Sequence, residues 1–423
     1  MRREYRSMLL NEGFSKVNHS SGLTIYMYPV MENIYTGAYL AVNYGSVNDC
    51  LLKNGKVRKF PEGTAHFIEH MLMERKTHNT SLFANTGAMA NAYCTYDRTV
   101  YYFSCVDKFR DSLEILINAV LVPSFEDFSV DRERAVIIQE IKQNQLIEIA
   151  DSKLFDCLYY SHVLKVPVAG TEQSVRKLDS SLLLEAYNAA YYPDNMVLVV
   201  TGCFDETVVL DVVDLAFKNM KSKLDTPKFV QSVNEPLDIK NELVVSKLYG
   251  ISNPFFCIGF KETPEKFIKN LYNSIVDELI IELLTGEISP LYQELYDKEI
   301  ISTPLVHESM CRHGYVFNKL SGESENPKNI MVKLKEAIKY AKETEFDLVY
   351  FERCRKALVG RFVSYFDNMF ILANYIIMSH FSGTDIYSLF EYMVNLDQKE
   401  IRKRLLNAFH LERCAISIVE PLY

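Results

Sequence analysis

The stretch GTAHFIEHMLME, residues 63–74, places His66 and His70 four residues apart, with Glu69 directly before the second histidine. Residues four apart on a helix project from one face, so the two imidazoles could reach a single metal ion. Glu69, three residues after His66, would stand beside that pair within reach of a water at the ion. The order H-x-x-E-H reverses the commoner H-E-x-x-H zinc signature. Neutral imidazole and carboxylate are good zinc ligands, and a catalytic zinc keeps one position open. The chemistry this pattern predicts is that of a catalytic metal site, with Glu69 placed near a metal-bound water. The competing explanation is an amphipathic helix that carries two imidazoles and no metal.

A catalytic zinc takes a third protein ligand, which must come from another element. The segment DRERAVIIQEIKQNQ supplies candidates. Glu133 and Glu140 are seven apart, nearly two helical turns, and share a face, while Ala135 to Ile138 and Ile141 provide apolar positions. A solvated helix face is the ordinary alternative for either glutamate. Further on, HESMCRH would place His307, Cys311 and His313 on one face of an alternating strand, but nothing around them adds to a metal site.

These residues have to be positioned by the rest of the chain. Its 423 residues exceed one compact core and imply two large domains or several small ones. With 48% hydrophobic and 24% charged residues it has the composition of a soluble globular protein. A net charge of −9 argues against nucleic acid as a partner. No apolar run reaches the length of a membrane span, and the N-terminus MRREYRSMLLNEGFSKV lacks the apolar core of a secretory signal. Nine cysteines with no C-x-x-C pair predict reduced thiols and a cytoplasmic location.

The segments GLTIYMYP and GAYLAVNYGS read as strands, and the chain turns helical through the histidine motif. The first half closes with YNAAYYPDNMVLVVTGCF: a helix end, a Pro-Asp-Asn turn and an apolar strand. The C-terminal LLNAFHLERCAISIVEP repeats that order. The fold class expected is α+β, with two similar α/β domains, each a mainly antiparallel sheet covered by helices, facing across a cleft. The boundaries predicted are a zinc-binding domain at 1–220, a linker at 221–242 and a second domain at 243–423. NAYCTYDRTVYYF, Asn91 to Phe103, alternates and reads as strand.

Taken together, GTAHFIEHMLME, GAMANAYCTYDRTVYYFSC, ERAVIIQEI, VAGTEQSVRKLD and YYPDNMVLVVTG resemble the pitrilysin or insulinase-type zinc peptidases. The likeness is nearest to the short bacterial branch related to mitochondrial processing peptidase, and covers residues 15 to 210. It implies that His66, His70 and Glu140 bind zinc, that Glu69 is the catalytic base, and that Glu133, grouped with it in the catalytic set, supports the ligands from behind. It also implies an exposed edge strand that takes the substrate as a further strand, with Asn91 and Ala92 contacting the substrate backbone. In the alternative reading Asn91 only closes the turn after TGAMA.

The second half departs from the family pattern. In SPLYQELYDKEIISTPLVHES, Tyr296 stands where the family has arginine and Thr303 where it has tyrosine. The resemblance therefore implies a zinc endopeptidase for extended peptides, with a role such as leader processing, working with a homologous partner subunit that supplies the missing pair. From a different class, the alternative is a peptide-binding subunit that does not cut.

Overall fold

The computed structural model describes residues 2–7, 10, 12–30, 34–53, 55–73, 79–143, 146–218, 228–230, 235–264, 267–312 and 315–422, with backbone alone at 79–80, 228, 267 and 310–312. Parts of the expected linker, 221–227 and 231–234, lie outside the described residues.

In chain order the first stretch forms strands β1 (Arg2–Ser7), β2 (Glu12–Asn18), β3 (Thr24–Pro29), β4 (Thr36–Val42), β5 (Cys50–Lys53) and β6 (Lys56–Lys59). Helices α1 (Thr64–Met73) and α2 (Asn79–Thr86) precede strands β7 (Met89–Cys94) and β8 (Thr99–Cys105), then helices α3 (Phe109–Leu121), α4 (Asp127–Lys142) and α5 (Leu146–Leu158). Next come α6 (Glu172–Val175), α7 (Ser180–Ala190), β9 (Met196–Gly202), α8 (Glu206–Phe217) and β10 (Lys228–Phe229). The remainder is β11 (Leu243–Leu248), β12 (Phe255–Glu262), α9 (Phe267–Thr285), α10 (Pro290–Asp297), β13 (Val306–Arg312) and β14 (Tyr315–Glu323). It closes with α11 (Pro327–Glu343), α12 (Leu348–Ser364), α13 (Met369–Ser382), α14 (Ile386–Asn395), α15 (Gln398–Asn407) and β15 (Cys414–Pro421).

Two sheet-bearing units result, and neither is contiguous. The first comprises Met1–Gln143, Val166–Ser232 and Tyr365–Tyr387; the second comprises Asn144–Lys165, Val233–Ser364 and Ser388–Tyr423. A single cut within 221–242 captures only one of these changes of unit, so 1–220 and 243–423 do not describe the two bodies. The first half lends α5 to the second unit and the second half lends α13 to the first.

The main sheet of the first unit has the order β1-β2-β3-β9-β4-β8-β7, and that of the second β11-β15-β12-β14-β13. In both, one parallel pair (β3 with β9, β11 with β15) is followed by antiparallel neighbours. The five strands β3-β9-β4-β8-β7 thus correspond one for one to the second sheet. A small sheet β10-β5-β6, which the sequence reading did not anticipate, completes the first unit.

Apolar alternation explains which face is buried. Ala38, Leu40 and Val42 of β4, Tyr101 and Phe103 of β8, and Leu198 and Val200 of β9 enter one core with Phe67, Ile68, Met71 and Leu72 of α1. In the second unit Gly259 of β12 lets α5 approach closely: a Cβ there would lie 2.9 Å from Leu154 Cδ2 and 3.0 Å from Leu158 Cδ1. Asp151 of α5 adds a bidentate ion pair to the buried Lys319 of β14, at 2.8 and 2.7 Å.

The stretch Asn91–Phe103 is a hairpin rather than one strand. The Thr95 N–H donates to the Arg98 carbonyl at 2.8 Å and the Thr95 hydroxyl to Asp97 at 2.9 Å, so four polar residues close a turn between β7 and β8. Only β7 remains at the sheet edge. No helix among the described residues is long and apolar enough to cross a membrane.

Candidate metal centre

Helix α1 is not the amphipathic surface helix of the competing explanation. Thr64, Ala65, His66, Phe67, Ile68, Glu69, Met71 and Leu72 are all buried, and a helix enclosed on nearly every side belongs to a core. It packs against β7, β8, α4 and α7. Its titratable groups are therefore held out of water, and each must find a partner.

The partner element is α4. Its buried stripe is Val130, Glu133, Ile137 and Ile138, whereas Ala135 and Val136, expected among its apolar positions, face solvent. Glu133 thus occupies a core position, and its Oε1 lies 2.8 Å from His70 Nδ1. A hydrogen bond from Nδ1–H to that carboxylate leaves the His70 lone pair at Nε2. Two turns along, Glu140 Oε2 is 3.4 Å from His70 Nε2 and Oε1 is 3.7 Å from His66 Nε2. The rings of His66 and His70 are 4.5 Å apart.

These spacings are long for hydrogen bonds, which favour 2.7–3.2 Å. They suit donors sharing one tetrahedral zinc, for which bonds of about 2.0–2.1 Å separate ligands by roughly 3.4 Å. The donor chemistry, two imidazoles and a carboxylate, fits zinc as well. Glu69 is the second carboxylate here, its Oε2 3.9 Å from His66 Nε2. Donor atoms of His66, Glu69 and His70 all lie within 4.8 Å of one another. Glu140 lies nearer to both imidazoles than this Glu69 contact, a geometry that favours it as a third ligand with Glu69 beside the site.

The electrostatics separate the roles further. Burial, and then the charge on His70, lowers His66 to about 4, so its imidazole is neutral near pH 7. Burial alone would also lower His70, but the carboxylates of Glu133, Glu140 and Glu69 outweigh it and raise the group to about 10. The His70 imidazole facing it holds Glu140 below the usual glutamate range. Burial pushes Glu69 up to about 7, where a carboxylate can both accept and release a proton near neutrality. Its charge is felt by the Cys94 thiol of β7 and the Tyr101 hydroxyl of β8, both raised chiefly by burial. His66 Nδ1 is buried without a hydrogen-bond partner among the described residues, so the support that Glu133 gives to His70 has no counterpart there.

Residues 39–172 match the insulinase (peptidase family M16) domain and residues 177–358 the peptidase M16 inactive domain. The chain belongs to peptidase family M16. It is 27% identical to the uncharacterized zinc protease YmfH of Bacillus subtilis, over 95% of both chains. To the mitochondrial-processing peptidase subunit beta of Caenorhabditis elegans it is 25% identical, over 44% of this chain and 43% of that one. An M16-like peptidase from Alicyclobacillus acidocaldarius shares the fold, with a TM-score of 0.89 and 23% identity over 100% of this chain and 98% of that one. Family M16 membership and relatives named as zinc proteases support a peptidase role.

Of the residues singled out from sequence in this M16 chain, the structure brings together His66, Glu69, His70, Glu133 and Glu140. Asn91 and Ala92 lie on β7, the edge strand of the first unit's main sheet among the described residues, with Asn91 Oδ1 accepting from the Ala92 N–H at 2.8 Å. Tyr296 and Thr303 lie in the second unit, both exposed, with Tyr296 stacked on Tyr292 at 5.9 Å. His307 faces Asn318 at 3.4 Å, while the Cys311 side chain and His313 lie outside the described residues. Sequence reasoning gave no role to Gly63 and Gly170, which meet at the start of α1. The segment VAGTEQSVRKLD carried the only signal, as a likeness without a function.

Proposed function

We propose that this chain is a zinc-dependent endopeptidase that cleaves extended, unstructured peptides. The observation that carries this reading is the convergence of His66 Nε2, His70 Nε2 and the Glu140 carboxylate, with Glu69 buried beside them. His66, His70 and Glu140 would hold the ion, and Glu133 would orient His70 from behind. When bound, zinc supplies a Lewis acid that polarises a peptide carbonyl and makes water acidic enough to be deprotonated near neutral pH. Glu69 takes the water proton on its carboxylate and hands it to the departing amine. The free edge of β7 offers backbone groups to an extended chain, and Asn91 would release the Ala92 N–H as that chain adds.

The reading includes a homologous partner subunit that provides the arginine and tyrosine replaced here by Tyr296 and Thr303. Donors aimed at the developing charge on the carbonyl oxygen contribute heavily to such reactions. The relative from Caenorhabditis elegans is itself named as a subunit. Leader-peptide processing or peptide maturation is the role that suits extended substrates. The location in this reading is cytoplasmic, in keeping with eight described cysteines that are all free. The second reading, a subunit that binds peptide without cutting, is favoured by the same two replacements.

Glu69→Gln tests the proposal: it should abolish hydrolysis of a mixed set of extended peptides while zinc content by elemental analysis stays unchanged. Loss of zinc in that variant would make Glu69 structural. Full activity of the purified chain with no added homologue would remove the partner subunit from the reading. Absence of activity both alone and with a co-expressed homologue would favour the binding subunit.

A further inference from the structure

The two helices that carry the metal-binding side chains are tied to each other by a segment the chemistry does not use. Just ahead of α1, Gly63 (φ +88) and Gly170 (φ +80) pack back to back. A Cβ on Gly63 would lie 2.5 Å from the Ala169 carbonyl oxygen, and one on Gly170 would lie 2.6 Å from the Glu62 carbonyl oxygen. Both obstacles are backbone atoms, so no side chain can swing aside. Past Gly170 the chain is stiffened by a capping box in which Thr171 and Ser174 satisfy each other's backbone N–H groups.

The same segment follows α4 along its length. Glu172 pairs with Lys142 in the last turn of α4 at 3.3 Å. The Leu178 carbonyl accepts from Arg134 Nη2 at 2.7 Å, and the Ser180 hydroxyl donates to Asp127 in the first turn at 2.5 Å. One strap therefore touches the start of α1 at one point and α4 at three.

We infer that the strap from Pro167 to Ser180 is the spacer that sets Glu140 against the two histidines, with Gly170 as its contact on α1. This rests on the reading that His66, His70 and Glu140 hold zinc. His66 and His70 share one rigid helix, so a displaced α1 carries both imidazoles together and keeps their mutual spacing. Their distances to the carboxylates of the other helix change instead: Glu140 at both Nε2 atoms and Glu133 at His70 Nδ1. A Cβ at Gly170 needs roughly 0.5 Å of relief from the Glu62 carbonyl, about the whole positional tolerance of a ligand constellation. Gly170 is thus a positioning residue that acts chiefly through Glu140.

The test is a double-mutant cycle on zinc affinity, measured by chelator competition on the full chain, with circular dichroism and the thermal midpoint of the metal-free protein as fold controls. Gly170→Ala in the wild-type background should weaken zinc about tenfold or more, in the range of changes that misplace a ligand's support. Thr171→Ala, which only loosens the strap, should act in the same direction and more weakly, and carries the comparison if Gly170→Ala does not fold. In a Glu140→Gln background either change should weaken zinc clearly less, because only the support that Glu133 gives to His70 is then left to disturb. Additive losses in the two backgrounds, or undiminished affinity in a folded strap variant, overturn the inference. If Glu140→Gln alone leaves affinity unchanged, the ligand assignment falls first and takes the inference with it, an outcome distinct from additivity.

Discussion

The roles of the three carboxylates around the histidine pair can be separated by replacing each with glutamine, which keeps shape and removes charge. Glu133 meets His70 at Nδ1, the nitrogen opposite the Nε2 that Glu140 approaches, at 2.8 Å. Its replacement leaves an amide oxygen to accept the same hydrogen bond, so the loss is that of a supporting group: about 10- to 100-fold in zinc affinity, or roughly 1.4–2.7 kcal/mol. Glu140 instead presents its two oxygens to the two Nε2 atoms at 3.4 and 3.7 Å. In the proposed ligand set, converting it removes one of three ligands and the negative charge offsetting the ion, and the loss should exceed about 100-fold, above the range for a supporting group. Glu69, at 3.9 Å from His66 Nε2 alone, should change affinity only a few-fold. The assay is competition with a chromophoric chelator at one pH, checked by elemental analysis after dialysis. A Glu69→Gln protein stripped of zinc beside a Glu140→Gln protein that retains it would refute the reasoning and make His66, Glu69 and His70 the ligand set.

Zinc affinity should also depend on pH with a defined sign. His70, raised to about 10 in the metal-free site, is protonated at pH 7 and must lose that proton to present Nε2, so affinity should climb about tenfold per pH unit from roughly pH 7 to 9; a flat profile after correction for chelator ionisation would contradict this. In the second unit Glu262 is 3% exposed, and burial, then the charge of Asp277, raises it to about 7. The folded state therefore keeps a proton that the unfolded state gives up near pH 4.5, and stability should fall as pH rises through that window. Glu262→Gln should flatten the fall and exceed wild type in urea midpoint at pH 8. Gly259→Ala should cost about 1–3 kcal/mol in denaturant unfolding by crowding Leu154 and Leu158; an unchanged midpoint would mean α5 shifts without strain.

Much of the candidate metal centre was legible because its information is local. His66, Glu69 and His70 lie within five residues on one helix, and helical periodicity alone puts them on neighbouring faces. Glu133 and Glu140 were legible as a pair for the same reason, and the apolar strands β4 and β9 announced themselves by composition. Which glutamate does what was not legible from spacing, because both lie on one face of α4. The difference arises only when α1 packs across that helix and presents Nδ1 to one carboxylate and Nε2 to the other. The hairpin within Asn91–Phe103 escaped notice because its turn, Thr95 to Arg98, contains neither glycine nor proline and is closed by side-chain hydrogen bonds instead.

Sequence by itself determined the candidate metal-binding residue types, their helical spacing, the mixed α and β class and the repeated helix, turn and strand that end each half. Tertiary structure decided which body each helix joins. Nothing in the local pattern of α5 or α13 distinguishes the sheet of its own half from the other, since an apolar helix face fits either sheet. The choice is made by particular long-range contacts: Asp151 with Lys319 and Leu154 over Gly259 for α5, and His380 with Tyr26 and Phe370 with Tyr102 for α13. The packing of Gly63 on Gly170, more than a hundred positions apart in the chain, likewise exists only in the assembled structure, at the start of α1. Periodicity reports which side of an element is apolar, but only the assembled chain says what lies against it.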